Sequence, residues 1–182
     1  MTATVMTLFN EFPFIFVLRV GISAVLLFTL VSLGLVLYKH SIINKIQRNS
    51  IILLSSYTVA LLYFTVFGRY SQSYYRYEIN VFASYRKLFE NFDTYVFQQI
   101  ILNLLMLIPI GFLLCVIIKS KFKYLWAMVM SLLLTTVVEV LQFVSRCGTF
   151  EVDDLINNMI GAVIGIAIYA VLKSLNKKRE VL

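Results

Sequence analysis

The chain has 182 residues, of which 60% are apolar and only 14% are charged, and its mean hydropathy is +0.88. Soluble domains carry about 25% charged and about 45–50% apolar residues, so this composition excludes an ordinary soluble domain and indicates a membrane protein. The net charge of +7 comes from short positive runs beside apolar stretches. That placement favours a role in membrane orientation over nucleic-acid binding.

Five apolar stretches of near-spanning length follow one another along the chain. About 20 predominantly apolar residues in a helix cross the hydrocarbon core of a bilayer. We therefore expect transmembrane helices over residues 20–38, 51–67, 100–118, 125–144 and 155–172. No Lys or Arg precedes the apolar run Phe12–Leu18, which leads through Arg19 into the first stretch, so we expect a retained helix rather than a cleaved signal peptide. Without repeats or linkers, residues 1–182 are predicted to form a single all-α membrane domain.

Lys and Arg residues are distributed unequally between the two sides of these predicted helices. One side holds ten of them, in the segments 39–50 and 119–124 and in the tail from residue 173. The other side holds five, and four of these lie in the long segment 68–99. Since positive residues in short loops stay on the cytoplasmic side, we predict an outside N-terminus, an inside C-terminus and an outer loop over 68–99.

The fourth predicted helix carries polar residues along one face. Ser131, Thr135, Glu139, Gln142 and Arg146 recur at helical spacing. Ionisable groups inside a membrane span are costly and are functional candidates by default. We expect Glu139 to lie near the outer end of this helix, with Arg146 above it as its partner.

The fifth predicted helix begins with Asp153 and Asp154, followed by Asn157 and Asn158. Carboxylates at a helix N-terminus are favoured by the exposed N–H groups, so capping is the alternative to a functional role for this pair. Gly161 and Gly165 follow at a spacing that lets another helix approach closely. That partner helix is either in the same chain or in a second copy.

These features predict one polar cluster on the outer side, to which the third helix contributes an Asn and the outer loop an Arg and an Asn. Interhelical hydrogen bonds contribute only about 0.6 kcal/mol each on average in membranes, so packing alone is a weaker explanation than a ligand site. The predicted ligand-binding residues are Arg69, Asn80, Asn103, Glu139, Gln142, Arg146, Asp153, Asp154, Asn157 and Asn158.

The sequence predicts neither a metal site nor a cofactor. Its two cysteines, Cys115 and Cys147, are far apart and fit no metal-ligand spacing, so we expect both to be unpaired. The single histidine, His40, stands between positive residues at the end of a predicted span. A His-based metal centre is therefore not expected.

Three sequence blocks together resemble the VanZ-like family. They are an N…PxG block from Asn103 to Gly111, an ExxQ block from Glu139 to Gln142, and an acidic block from Arg146 to Gly161. The resemblance covers about residues 69–169. The chain departs from the family pattern in lacking a proline after Asn80, in having Thr149 where many members have another residue type, and in having Glu151 in place of Asp.

The resemblance implies a multi-pass protein of the bacterial cytoplasmic membrane that is linked to resistance against teicoplanin and related lipoglycopeptides. The favoured hypothesis is non-enzymatic binding of an envelope lipid, a lipid-linked wall precursor or the antibiotic in the outer cluster. The alternative is an enzyme that modifies a lipid-linked substrate, with Glu139 and Asp153 or Asp154 as acid and base and Arg146 as anion clamp. No activated nucleophile is visible, which ranks this alternative second. A transporter ranks last, because no polar path continues through the inner leaflet and no inverted repeat is present.

Overall fold

A computed structural model describes residues 24–25, 27–67, 69 and 71–179. This part of the chain is helical apart from its loops and two short strands, which confirms the predicted all-α membrane bundle. The elements in chain order are α1 (Leu27–Lys39), α2 (Lys45–Leu62, continued by a π-helical turn over Tyr63–Phe67), β1 (Arg76–Glu78), α3 (Ala83–Asn91), α4 (Thr94–Ile117), α5 (Lys123–Val144), β2 (Thr149–Glu151) and α6 (Val152–Arg179).

Four helices of the described chain are long and apolar enough to cross a membrane, with hydropathies between 1.9 and 2.8. They are Lys45–Phe67, Thr94–Ile117, Lys123–Val144 and Val152–Lys177. The described part of the first predicted span, α1, is apolar but shorter. The rest of that prediction, including Phe12–Leu18 and Arg19, lies outside the described residues.

Two of the spanning helices begin earlier than the apolar runs suggest, because polar residues cap them. Asn44 and Gln47 form a reciprocal capping box at the start of α2, so that helix begins at Lys45 rather than Ile51. The Asp93 side chain accepts from two backbone N–H groups in the first turn of α4, which therefore begins at Thr94 rather than Ile100. Capping extends each helix into polar sequence that hydropathy assigns to loops.

Helices α4 and α6 make the closest contact in the bundle. A methyl group added at Gly161 would overlap the Leu104 carbonyl, and one at Gly165 would overlap the Ile108 carbonyl. Gly111 of α4 is equally close to the backbone of α6. Small residues allow this backbone-to-backbone approach. The glycine face of α6 is thus occupied by α4 of the same chain, and an oligomer contact through Gly161 and Gly165 would have to displace it.

The predicted outer loop contains regular structure that the sequence interpretation did not foresee. Strand β1 pairs in parallel with β2, with Tyr77 opposite Phe150. The Ser71 hydroxyl also donates to the carbonyl of Ser145 at 2.9 Å. These bonds and α3 fasten the segment 71–91 to the connection between α5 and α6.

The carboxylates of the described chain lie at one end of the bundle. They stand in the α2–α4 connection, at the end of α5 or around the start of α6; we call this the carboxylate end, and it also carries five Lys and Arg residues. The opposite end, which we call the basic end, comprises the α1–α2 turn, the α4–α5 loop and the last turns of α6. The basic end therefore has positive side chains without carboxylates, whereas the carboxylate end has charges of both signs.

Candidate functional site

The polar face of α5 is buried, as its spacing predicts. Ser131, Thr135, Glu139 and Gln142 are 0%, 0%, 2% and 7% exposed. The face lies against α6, where Asn158 Nδ2 donates to Thr135 Oγ1 at 2.7 Å. The polar side chains therefore point into the bundle rather than toward lipid.

Helix α6 adds three buried polar side chains near its start. Asp153, Asn157 and Asn158 are 1%, 0% and 0% exposed. The hydroxyl of Tyr85 in α3 donates to Asn157 Oδ1. Burial, and then the neighbouring Asp153 carboxylate, raise the pKa of Tyr85, so its hydroxyl keeps the proton that it donates. The side chain of Asn157 is thus held by a residue of the connection between α2 and α4.

Asp153 caps α3 rather than its own helix. Phe82, at the start of α3, adopts a left-handed φ of 64° and offers no side-chain cap. Asp153 instead accepts the N–H of Phe82 through Oδ1 at 2.6 Å and the N–H of Ser84 through Oδ2 at 2.8 Å. The Ser84 hydroxyl also donates to Glu151 Oε2 at 3.1 Å. Both oxygens of Asp153 are occupied, so its observed role is to hold α3 against the start of α6.

Four acidic side chains, Glu139, Glu151, Asp153 and Asp154, form what we call the carboxylate cluster. Glu139 accepts a hydrogen bond from the backbone N–H of Glu151 and interacts electrostatically with Asp154, Glu151 and Arg69. Asp154 is hydrogen-bonded by the Asn103 side chain and interacts with the same Arg69. The described residues contain no group of three or more His, Cys, Asp and Glu side chains arranged to hold a metal ion. The acidic oxygens of this cluster favour ligands that offer hydrogen-bond donors.

Four buried polar atoms on α5 and α6 have no hydrogen-bond partner in the described structure. They are Ser131 Oγ, Glu139 Oε2, Asn157 Nδ2 and Asn158 Oδ1. Leaving one such atom unpaired costs about 1–3 kcal/mol. Native proteins leave few of them, and each needs an explanation such as a bound ligand or water. These atoms are therefore available for hydrogen bonds to polar groups from outside the described chain.

Arg146 does not pair with Glu139, and that prediction was wrong. Helix α5 ends at Val144, and Arg146 has a left-handed φ of 55° beyond it. Its guanidinium lies 4.4 Å from the Tyr75 ring centroid, and Nη2 donates to the Tyr75 hydroxyl at 3.3 Å. Lys87 and Glu78 form an ion pair elsewhere at this end, with 3.9 Å between Nζ and Oε2. The helical spacing that links Glu139 to Arg146 fails because the helix ends between them.

Asn80 and Gln142 contact residues other than those of the carboxylate cluster. Asn80 is exposed, and its Nδ2 donates to Glu78 Oε1 at 2.8 Å in the turn before α3. Gln142 lies against Gly148, where an added Cβ would be 3.2 Å from Gln142 Oε1. Of the ten predicted residues, the structure thus brings Arg69 together with Asn103 of α4, Glu139 of α5 and Asp154 of α6.

The sequence interpretation missed three residues that contact the predicted ones. Glu151 stands two residues before Asp153, and its place in the acidic run is a signal that could have identified it. Ser84 and Tyr85 belong to the short helix α3, whose position depends on Asp153. No local pattern reveals a contact that forms between segments about seventy residues apart.

Comparison with known proteins gives two matches. The family model described as VanZ/LLP1 matches residues 25–173. Protein VanZ of Enterococcus faecium is 31% identical over 84 residues, which are 46% of this chain and 52% of that protein. The matched stretch thus spans about half the length of this relative. No solved structure shows significant similarity to the chain.

Proposed function

The chain belongs to the VanZ/LLP1 family, and we propose that it protects a bacterial cell against teicoplanin and related lipoglycopeptides by binding. The ligand is an acylated molecule of the outer leaflet, either the drug itself or an envelope lipid such as a lipid-linked wall precursor. It binds at the carboxylate end, in the bacterial cytoplasmic membrane. The resemblance to VanZ-like proteins is the reason for proposing this class of drug. The buried polar groups are the reason for proposing a site at the carboxylate end.

The observation that carries this proposal is the set of unpartnered buried atoms on α5 and α6. Buried polar groups that served only to join helices would be paired with one another, as Asn158 Nδ2 is with Thr135 Oγ1. Glu139 Oε2 and Asn158 Oδ1 can accept hydrogen bonds, and Asn157 Nδ2 can donate them, but none of the three has a partner in the described structure. A sugar hydroxyl can satisfy either kind of group, and an ammonium can satisfy the acceptors.

The proposed orientation follows from the charge distribution. The basic end carries the short Lys-rich segments, which favour the cytoplasmic side. The carboxylate end then faces outside, where a lipoglycopeptide meets its target. The exposed apolar side chains around α3, which include Val81, Phe82 and Phe89, suit an interfacial position beside the acyl chain of a ligand.

Two substitutions test which charged residues form the site. Asp154→Asn replaces the carboxyl group that interacts with Asn103 and Arg69 by an amide, so we expect teicoplanin susceptibility to rise most of the way to that of cells without the protein. Arg146→Ala should keep nearly full protection, because Arg146 contacts Tyr75 outside the cluster. The measurement is the minimal inhibitory concentration in a sensitive host, at membrane levels matched by immunoblot. Equal loss in both variants, or in neither, would contradict the assignment.

A second candidate function is catalysis on a lipid-linked substrate. Glu139 and Asp154 interact with each other and with the same Arg69, which is an arrangement that can serve as acid and base. Asp153 is excluded from this pair because both of its oxygens accept bonds from α3. Mass spectrometry of teicoplanin and of wall precursor after incubation with the purified protein separates the two functions. A changed mass that depends on Glu139 supports the enzyme, and unchanged masses favour binding alone.

A further inference from the structure

A cavity at the basic end lies far along the bundle from the carboxylate cluster. It has a volume of about 430 Å³ and is lined by Tyr38, Lys39, Ser41, Ile43, Asn44 and Lys119. This volume lies within the roughly 300–1,000 Å³ typical of small-molecule sites. The cavity is built where the α1–α2 turn meets the loop after α4. It is therefore a candidate site that is separate from the proposed drug-binding site.

The lining of this cavity provides donors and positive charge. Lys119 Nζ donates to the Ile42 carbonyl at 3.3 Å, which holds the α4–α5 loop against the α1–α2 turn. The side-chain ammonium of Lys39 makes no hydrogen bond or ion pair with the described residues. The Ser41 hydroxyl also makes no hydrogen bond with them. Arg48 adds a further positive charge, 4.4 Å from the centroid of the Tyr38 ring.

No acidic side chain in the described chain offsets these charges. Every carboxylate that the structure describes belongs to the carboxylate end. Basic pockets between helices on the cytoplasmic side of a membrane suit phosphate-bearing lipid headgroups. A zwitterionic headgroup would bring an ammonium close to Lys39 and Lys119, which disfavours it.

Exposed apolar side chains close in sequence to the lining residues favour a lipid over a free phosphate as the occupant. Val36 of α1 and Ile46 of α2 are 51% and 67% exposed, and Ile42 in the turn between them is 59% exposed. Acyl chains would cover these side chains while the headgroup occupies the cavity. We propose that the cavity at the basic end binds the headgroup of an anionic phospholipid through Lys39, Lys119, Ser41 and Asn44.

The test uses the purified full-length chain in detergent and phosphatidylglycerol as the probe. Native mass spectrometry counts the bound lipid as its concentration is raised, with phosphatidylcholine and glycerol phosphate as comparison ligands. We expect saturable binding of phosphatidylglycerol that is roughly tenfold tighter than that of either comparison ligand. Equal binding of phosphatidylcholine would overturn the proposal, and so would equal binding of glycerol phosphate, which would indicate a soluble phosphate ligand.

Matched double variants locate the lipid. Lys39→Gln with Lys119→Gln should weaken phosphatidylglycerol binding roughly tenfold or more. Lys121→Gln with Lys173→Gln removes the same charge from the basic end outside the cavity and should leave binding unchanged. Equal weakening by both double variants would show that the overall positive charge of the basic end attracts the lipid, and it would reject the site. If loss of the hydrogen bond between Lys119 and the Ile42 carbonyl impairs folding of the double variant, Lys39→Gln alone is measured instead. Unchanged binding in this single variant would also reject the site.

Discussion

Replacement of Gly161 by Ala should reduce the amount of folded protein in the membrane to a small fraction of the wild-type level. The added methyl would overlap the Leu104 carbonyl, which is backbone and cannot rotate away as a side chain can. Overpacking against adaptable neighbours costs about 1–3 kcal/mol, and we expect this contact to lie at or above the upper end of that range. The measurements are membrane abundance and the thermal unfolding midpoint in detergent.

Gly34→Ala is the matched control for this helix contact. There the new methyl would lie 3.1 Å from Cγ2 of Ile51, so a displacement of a few tenths of an ångström relieves the contact, and no backbone atom is in the way. We expect this variant to accumulate nearly as well as the wild type. A Gly161→Ala protein with wild-type abundance and unfolding midpoint would show that α4 and α6 do not approach each other through this glycine.

Substitution of Glu139 by Gln should abolish protection against teicoplanin without removing the protein from the membrane. Gln has nearly the same volume, and its Oε1 can still accept the N–H of Glu151. The variant replaces the unpartnered Oε2 by an amide NH2 group, which cannot accept a hydrogen bond. A ligand donor that meets Oε2 would then be left unsatisfied, which costs about 1–3 kcal/mol, so ligand affinity should fall roughly ten- to hundredfold. The minimal inhibitory concentration should then approach that of cells without the protein.

The control for this substitution is Glu90→Gln, which makes the same chemical change at an exposed position on α3. We expect it to protect as the wild type does. A Glu139→Gln protein that reaches normal membrane levels and still gives full protection would show that the Glu139 carboxylate only joins helices.

The parts of the fold that the sequence predicts are those with a long periodic signal. Four of the five predicted apolar runs correspond to helices long enough to span a membrane, and the spacing of Ser131, Thr135 and Glu139 identifies the buried face of α5. Gly161 and Gly165 predict a close helix contact, although not which helix makes it. These signals are local because a helix places residues three and four apart on one face.

The remaining features depend on contacts between distant segments or on where a helix stops. Asp153 looks like a cap for its own helix, and only the fold brings the uncapped N–H groups of Phe82 and Ser84 to it. Arg146 looks like part of the α5 stripe until the helix ends at Val144 and the guanidinium turns to Tyr75. The strands β1 and β2 have three residues each, too few for an alternating pattern to be recognised.

The most direct test of a ligand site at the carboxylate end is equilibrium binding of teicoplanin to the purified protein. The wild type, Glu139→Gln and Glu90→Gln would be titrated with the drug, with the same glycopeptide lacking its acyl chain, and with a lipid-linked wall precursor. We predict saturable binding of at least one acylated ligand by the wild type and Glu90→Gln, weakened roughly ten- to hundredfold in Glu139→Gln. Binding of none of these molecules by the wild type, or equal binding by all three proteins, would contradict the proposed site.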